Sequence, residues 1–285
     1  MSALPAGSRR ELDEALWRVD ELGFDFVACG DHLGRPAPFP FLTAAAAASD
    51  RLRLRTYVLN VGFWNPSLLA REAATLDVLS GGRVELGVGA GTIRSEFEEA
   101  GLPWRPAAER IAEMEETLKL VRRRLADPSH EPQPIQQPIP FLIGAMSKRG
   151  LAVAAAHADI VAFAGIRQAE GKPPGTLRAA AAEETDELVA YARGCAAGRS
   201  FESDVLLQTV ALGRDPLSAA KAFIQREGDE EDPRVLAESP CVLFAPTAAD
   251  AAAELVRRRK RWGFTSFTTF WPSADALAQV RRELS

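Results

Sequence analysis

Apolar positions along the chain switch repeatedly between a period near 3.6 and a period of two, as alternating helices and strands require. Leu12, Leu16, Val19 and Leu22 mark one face of a helix over 8–22, with Gly23 as its stop. A buried strand over 24–29 follows, then the polar group Gly30-Asp31-His32. An alanine-rich helix over 41–49 leads to a strand over 52–61, where Leu52 and Leu54 alternate with Arg53 and Arg55. Pro66, at a favoured first helical position, opens a helix to 79. The stretch from Asp77 to Gly91 organises the rest: a helix end, a stop at Gly81-Gly82, and a strand over 83–88. Val84, Leu86 and Val88 alternate there with Arg83, Glu85 and Gly87. Further helices are expected at 107–125, 148–156, 179–197, 216–227, 247–262 and 274–284. Strands are expected at 140–144, 159–164, 204–212, 241–244 and 265–270. An extended proline-rich connector occupies 128–140, and a polar loop 165–175.

Strand–helix units at this spacing, joined by right-handed crossovers, predict a (β/α)8 TIM barrel forming a single domain over 1–285. The first strand should precede Ser8, where Leu4 is the one strongly apolar residue, so that strand is expected to be shortened or missing. Glycines at 87, 89 and 91 remove every second side chain where a strand ends. Such close backbone access at a strand's C-terminal edge is where α/β proteins bind ligands. A dinucleotide-binding fingerprint would need glycine at Thr92. Packing against a neighbour and contact with a cofactor explain this spacing equally well.

The 285 residues are 47% hydrophobic and 26% charged, the composition of a soluble globular protein. A net charge of -5, with both signs interleaved, argues against nucleic-acid and polybasic membrane partners. Cys29, Cys195 and Cys241 are far apart, which predicts no disulfide framework, and His32, His130 and His157 lie at no metal-ligand spacing. There is no signal peptide and no apolar run as long as a membrane span, so a cytoplasmic protein is expected.

The runs Glu21-Leu-Gly-Phe-Asp-Phe-Val, Asp31-His32-Leu33, Thr75-Leu-Asp-Val-Leu-Ser-Gly-Gly-Arg-Val-Glu-Leu-Gly-Val-Gly-Ala-Gly91, Arg94-Ser-Glu-Phe and Pro140-Phe-Leu-Ile-Gly144 resemble the bacterial luciferase-like monooxygenases. Within that superfamily the chain is most similar to the oxidoreductases that use the deazaflavin coenzyme F420. The resemblance implies a deazaflavin held by Gly89, Ala90, Gly91 and Thr92, with Asp31 and His32 beside its ring as the catalytic pair. Histidine titrates near neutral pH and exchanges a proton there, with Asp31 orienting it. On the residues alone, a loop-capping Asp31 and a packed His32 explain the pair as well. The resemblance also implies a bulge at Asn60-Val61-Gly62, often with a non-proline cis peptide, against one face of the ring. Gly144, Ala145, Met146, Ser147 and Lys148 lie between a strand and a helix. Ser147 is a natural N-cap there, and free N–H groups at a helix start favour a phosphate. Some deazaflavin dehydrogenases carry a glutamate acid near Thr92, and the hydroxyl here argues against sugar-phosphate dehydrogenation.

Phe39, Phe63, Trp64, Trp104 and Trp271 suggest an aromatic rim and a small, fairly apolar substrate. A homodimer is expected from the family. Two alternatives stand: a monooxygenase using reduced FMN, oxygen and a separate reductase, and a non-catalytic barrel that acts as a binding partner. Ser95 with Glu98 has capping-box spacing. Arg110 and Glu116 read as tying their helix to its neighbours by an ion pair, and 257–261 as a solvated helix face.

Overall fold

The computed structural model describes residues 1–172, 176–227 and 231–284, so the end of the expected 165–175 loop lies outside the described residues. In chain order the elements are α1 (Arg9–Glu21), β1 (Phe26–Cys29), α2 (Pro38–Ala48), β2 (Arg53–Thr56), β3 (Leu59–Asn60), α3 (Pro66–Ser80) and β4 (Val84–Gly89). Next come α4 (Arg94–Glu99), α5 (Ala107–Leu125), β5 (Phe141–Ala145), α6 (Lys148–His157), β6 (Ile160–Phe163), β7 (Ile166–Gln168) and β8 (Leu177–Ala179). The remainder is α7 (Ala182–Cys195), β9 (Glu202–Leu207), β10 (Thr209–Leu212), α8 (Pro216–Glu227), α9 (Pro233–Glu238), β11 (Val242–Ala245), α10 (Ala248–Trp262), β12 (Ser266–Thr269) and α11 (Ala274–Arg282).

The strands of the main sheet are parallel in the order β1-β2-β4-β5-β6-β9-β12, and β3 adds to the end of β4. Outside it, α1, α2, α3, α5, α6, α7, α10 and α11 each pack on the next. Arg18 of α1 donates to Asp275 of α11 at 2.7 Å and links the two ends of that series. The result is a TIM-barrel-like α/β fold. Met1 and Ser2 lie between β1 and β12: Ala28 N donates to Met1 O at 2.6 Å and Ser2 N to Thr269 O at 2.8 Å.

Local chemistry explains most boundaries. Ser8 and Thr247 cap α1 and α10, and Asn65 caps α3 just before Pro66. Gly81 and Gly263 end α3 and α10 in the left-handed region, at φ 71° and 76°. The proline-rich connector is fixed by Gln136, whose backbone N–H and side-chain amide donate to the buried Asp77 carboxylate at 2.8 and 2.7 Å.

The space enclosed by the strands is charged. Arg55, 3% exposed, donates to Glu85 at 2.6 Å and to Asp204 at 3.1 Å. Asp204 also accepts from Tyr57 Oη at 2.6 Å and Thr268 Oγ1 at 3.0 Å. The Arg55 guanidinium lies 3.7 Å from the Phe26 ring centroid. Burial first, and the Asp204 carboxylate second, push the Tyr57 phenol well above its usual range.

A second, smaller core gathers Ala179, Ala220, Leu236, Val242 and Phe244, with Ile166 and Phe223 against it. It joins the antiparallel β7–β8 hairpin to the parallel pair β10–β11 and to α8 and α9. Arg178 of β8 donates twice to Glu184 of α7, and Ala181 N donates to the same carboxylate at 2.9 Å.

Four expectations change. The 52–61 strand is interrupted, and Val61–Phe63 winds into a 3₁₀ turn. The 204–212 strand breaks at Gln208, because its second half leaves to pair with β11. Ser95 and Glu98 form no capping box, since α4 starts two residues too early and Ile93 stands at its N-cap. The 257–261 face is not wholly solvated: Arg258 is 3% exposed and donates to the Pro240 carbonyl at 3.0 Å and to Glu254 at 2.8 Å.

Replacing Arg55 by Ala leaves Glu85 and Asp204 buried without their cation, and is expected to cost about 3–5 kcal/mol in urea unfolding. Arg178 holds the Glu184 carboxyl at about 2, below its ordinary 4.5. A depressed carboxylate contributes stability above its unfolded pKa and loses it as pH falls through the folded one. Glu184→Gln is therefore expected to melt below the wild type at pH 7, with the gap closing between about pH 4.5 and 2.

Candidate active site

Parallel strands deliver their C-terminal ends to one edge of the sheet. Asp31 and His32 follow β1, Asn60 ends β3, Gly89 ends β4, and Ala145 ends β5 just before Met146 and Ser147. Residues far apart in sequence thus share one edge.

Asp31 does not hold His32. Its Oδ2 accepts from Trp64 Nε1 at 2.8 Å and from Asn60 N at 3.2 Å. Burial raises its carboxyl pKa, and those two bonds oppose the rise. The partner of His32 is Glu96 on α4, with Oε1 2.9 Å from Nδ1. The expected orienting role of Asp31 is corrected accordingly: its acceptor capacity goes to the Asn60 turn and to an indole. Glu96 was within reach of sequence reading, since it lies in the Arg94-Ser-Glu-Phe run, but nothing local marks it as a histidine partner.

Asn60 is 5% exposed; its Oδ1 accepts from Gly62 N at 3.1 Å, capping the 3₁₀ turn, while Nδ2 has no hydrogen-bond partner among the described residues. Val61 is buried beside it. Gly91 sits at φ 73°, and a Cβ there would stand 2.5 Å from Asn60 Oδ1 and 2.7 Å from the Phe97 ring. A Cβ on Gly89 would meet Val58 Cγ2 at 2.8 Å, and one on Gly144 would meet Val58 Cγ1 at 3.3 Å. Gly87 is a packing glycine, since its Cβ would fall 1.9 Å from Thr56 O. The strand-end glycines therefore divide: one admits a neighbouring backbone, and the others admit Val58 and Asn60. The non-proline cis peptide lies at Tyr57–Val58, before the expected 60–62 position. Val58 itself carries no signal in the sequence.

The expected ion-pair tie from Arg110 and Glu116 to neighbouring elements does not form among the described residues; Glu116 accepts from Lys119 of the same helix at 2.9 Å. Arg110, 8% exposed, donates to the carbonyls of Ala90 and Gly91 at 3.3 Å each and to that of Arg105. Its guanidinium lies 3.7 Å from the Trp104 ring centroid, and burial lowers its pKa. With both carbonyls turned to Arg110, planar trans peptides turn the N–H groups of Gly91 and Thr92 away from it.

The aromatics form two groups. Phe39 meets Trp64 edge-on at 5.2 Å, while Phe97 lies between Phe63 at 5.6 Å and Trp104 at 5.2 Å. Trp271 follows β12 and packs on the main core instead. Ser147 caps α6 as expected, accepting from Gly150 N at 3.2 Å, and Lys148 Nζ stands 5.7 Å from the Tyr191 ring centroid. A cavity of about 330 Å³ lined by Leu118, Arg122, Phe141 and His157 lies at the opposite edge, where β5 begins, and takes no part in this site. Among the described residues no helix is long and apolar enough to cross a membrane.

A model of the luciferase-like monooxygenases matches residues 2–283. Over 122 residues the chain is 37% identical to an F420-dependent glucose-6-phosphate dehydrogenase of Amycolatopsis mediterranei, covering 40% of this chain and 37% of that protein. Over 121 residues it is 34% identical to the 4-hydroxyprotoasukamycin monooxygenase of Streptomyces nodosus subsp. asukaensis, covering 41% and 32%. These matches span about a third of the relatives' length. Among solved structures, an F420-dependent secondary alcohol dehydrogenase in complex with an F420-acetone adduct has a TM-score of 0.77 at 17% identity, covering 97% of this chain and 93% of that one. Monooxygenase RslO1 from Streptomyces bottropensis has a TM-score of 0.73 at 21% identity, covering 100% and 96%. At such identities the two structures are similar in fold alone.

Gly91→Ala adds a methyl where Asn60 and Phe97 already touch and forces a side chain into positive φ. It is expected to destabilise by about 1–3 kcal/mol in chemical unfolding, whereas Gly101→Ala, at φ 69° with open space around it, carries only the backbone share.

Proposed function

The chain belongs to the luciferase-like monooxygenase family, and from that premise we propose that it is a coenzyme F420-dependent oxidoreductase. In this reading the fold is a (β/α)8 barrel whose first strand is reduced to Met1 and Ser2. The reaction moves a hydride between the deazaflavin and a small, fairly apolar organic substrate.

The observation that carries the reading is the unpartnered Nδ2 of Asn60, buried at the strand edge beside Gly91. Leaving a buried donor unmet costs about 1–3 kcal/mol, and a carbonyl of the deazaflavin would supply the acceptor. Around it, Val58, Val61, Gly62 and Gly89–Thr92 offer a narrow apolar and backbone surface suited to a flat heterocycle. The Ser147-capped start of α6, with Lys148, offers N–H groups and positive charge to a phosphodiester. When bound, the deazaflavin supplies the hydride chemistry at C5.

This chain's residues do the rest. His32 holds or releases a proton at the substrate oxygen through Nε2, since Nδ1 is engaged by Glu96. Phe63, Trp64 and Trp104 shield the reacting atoms from water and favour an apolar substrate over a sugar phosphate. Thr92 offers a hydroxyl and no acid.

Titration of the purified chain with oxidised F420 and, separately, with FMN, followed by fluorescence, tests the reading. Saturable, selective F420 binding is expected. His32→Ala should keep that binding and lose about 10²–10⁴-fold in turnover on the substrate a screen identifies. Selective FMN binding would instead mean a monooxygenase with a partner reductase, and binding of neither a non-catalytic barrel.

A further inference from the structure

We propose that Glu96 is the positioning residue of the site: it fixes His32 as the tautomer with its proton on Nδ1 and leaves Nε2 as the ring's acceptor. The inference rests on the F420 reading only for what Nε2 meets; the tautomer itself is a property of the free protein.

The two side chains differ in exposure. His32 is 51% exposed and Glu96 14%, at an Nδ1–Oε1 distance of 2.9 Å. An exposed imidazole held by nothing else turns freely about its side-chain bonds, so the less mobile partner sets its direction. An ionised carboxylate only accepts, which places the proton on Nδ1. Asp31, the sequence neighbour, is engaged by Trp64 and Asn60.

Glu96 is itself held by its neighbour in sequence. Phe97 is 4% exposed and wedged between Phe63 and Trp104, against the faces of Gly62 and Gly91. A short helix anchored by one aromatic thus carries the carboxylate to the histidine. Two glycines, one in the 3₁₀ turn after β3 and one just past β4, make room for that anchor.

Long-range ¹H–¹⁵N NMR on histidine-labelled, cofactor-free protein reads the tautomer, with His32→Gln assigning the signal. The wild type is expected to show a protonated Nδ1 and an unprotonated Nε2. Glu96→Gln should preserve that pattern, because its amide oxygen still accepts. Glu96→Ala should shift the proton toward Nε2, lower turnover about tenfold and leave cofactor affinity unchanged. A wild-type ring protonated on Nε2, or a Glu96→Ala spectrum identical to wild type, would overturn the proposal. Both readouts stand whether or not F420 binds, so failure of the cofactor reading is seen separately.

Discussion

Arg55 governs how this sheet is built. One guanidinium reaches Glu85 on β4 and Asp204 on β9 while its flat face rests on Phe26 of β1. Three strands separated in sequence are thereby tied from inside by one charged side chain. Buried charge of this kind is weak evidence for added stability. It does dictate register, because a strand displaced by one residue would turn its charged group outward and strand the others. Tyr57, bonded to Asp204, extends the same network to the residue just before Val58. The network and the candidate site are therefore consecutive layers of one interior.

Above it, the site is made by subtraction as much as by addition. Gly87 admits the backbone of β2, Gly89 and Gly144 admit Val58, and Gly62 and Gly91 admit Phe97. Each missing side chain is occupied by a particular neighbour, so the smooth surface at the strand ends comes from close packing. Arg110 completes it from outside by turning two carbonyls toward itself.

The alternation of elements was readable from period and punctuation, since Pro66, Gly81 and Gly263 act locally and keep their meaning in the fold. Ser147 as a cap was readable for the same reason. What failed involved partners distant in sequence. Arg110 donates to backbone carbonyls nineteen and twenty positions back while Glu116 only accepts from Lys119 on its own helix, and Arg258 was drawn into carbonyls eighteen and nineteen positions away. The pairing of His32 with Glu96 spans 64 positions and depends on Phe97 being anchored, which no periodicity encodes. Adjacency suggested Asp31 for that role, but Asp31 was needed to stabilise the turn at Asn60. The family resemblance pointed to these strand ends; the contacts among them depend on long-range packing that the sequence does not spell out.

The small core under β7–β8, α8, α9 and β11 has a consequence for how such a protein diversifies. It leaves the main sheet after β6 at Gly165, where any side chain would strike Cys241, and is pinned to α7 through Arg178 and Glu184. Its apolar contacts are largely its own. Mutations accumulating there remodel one wall above the strand ends without disturbing the charged interior that sets strand register. Selection for new reactants thus has a tolerant canvas beside a conservative frame, although β9 and its Asp204 run through the middle of that stretch of sequence and belong to the frame.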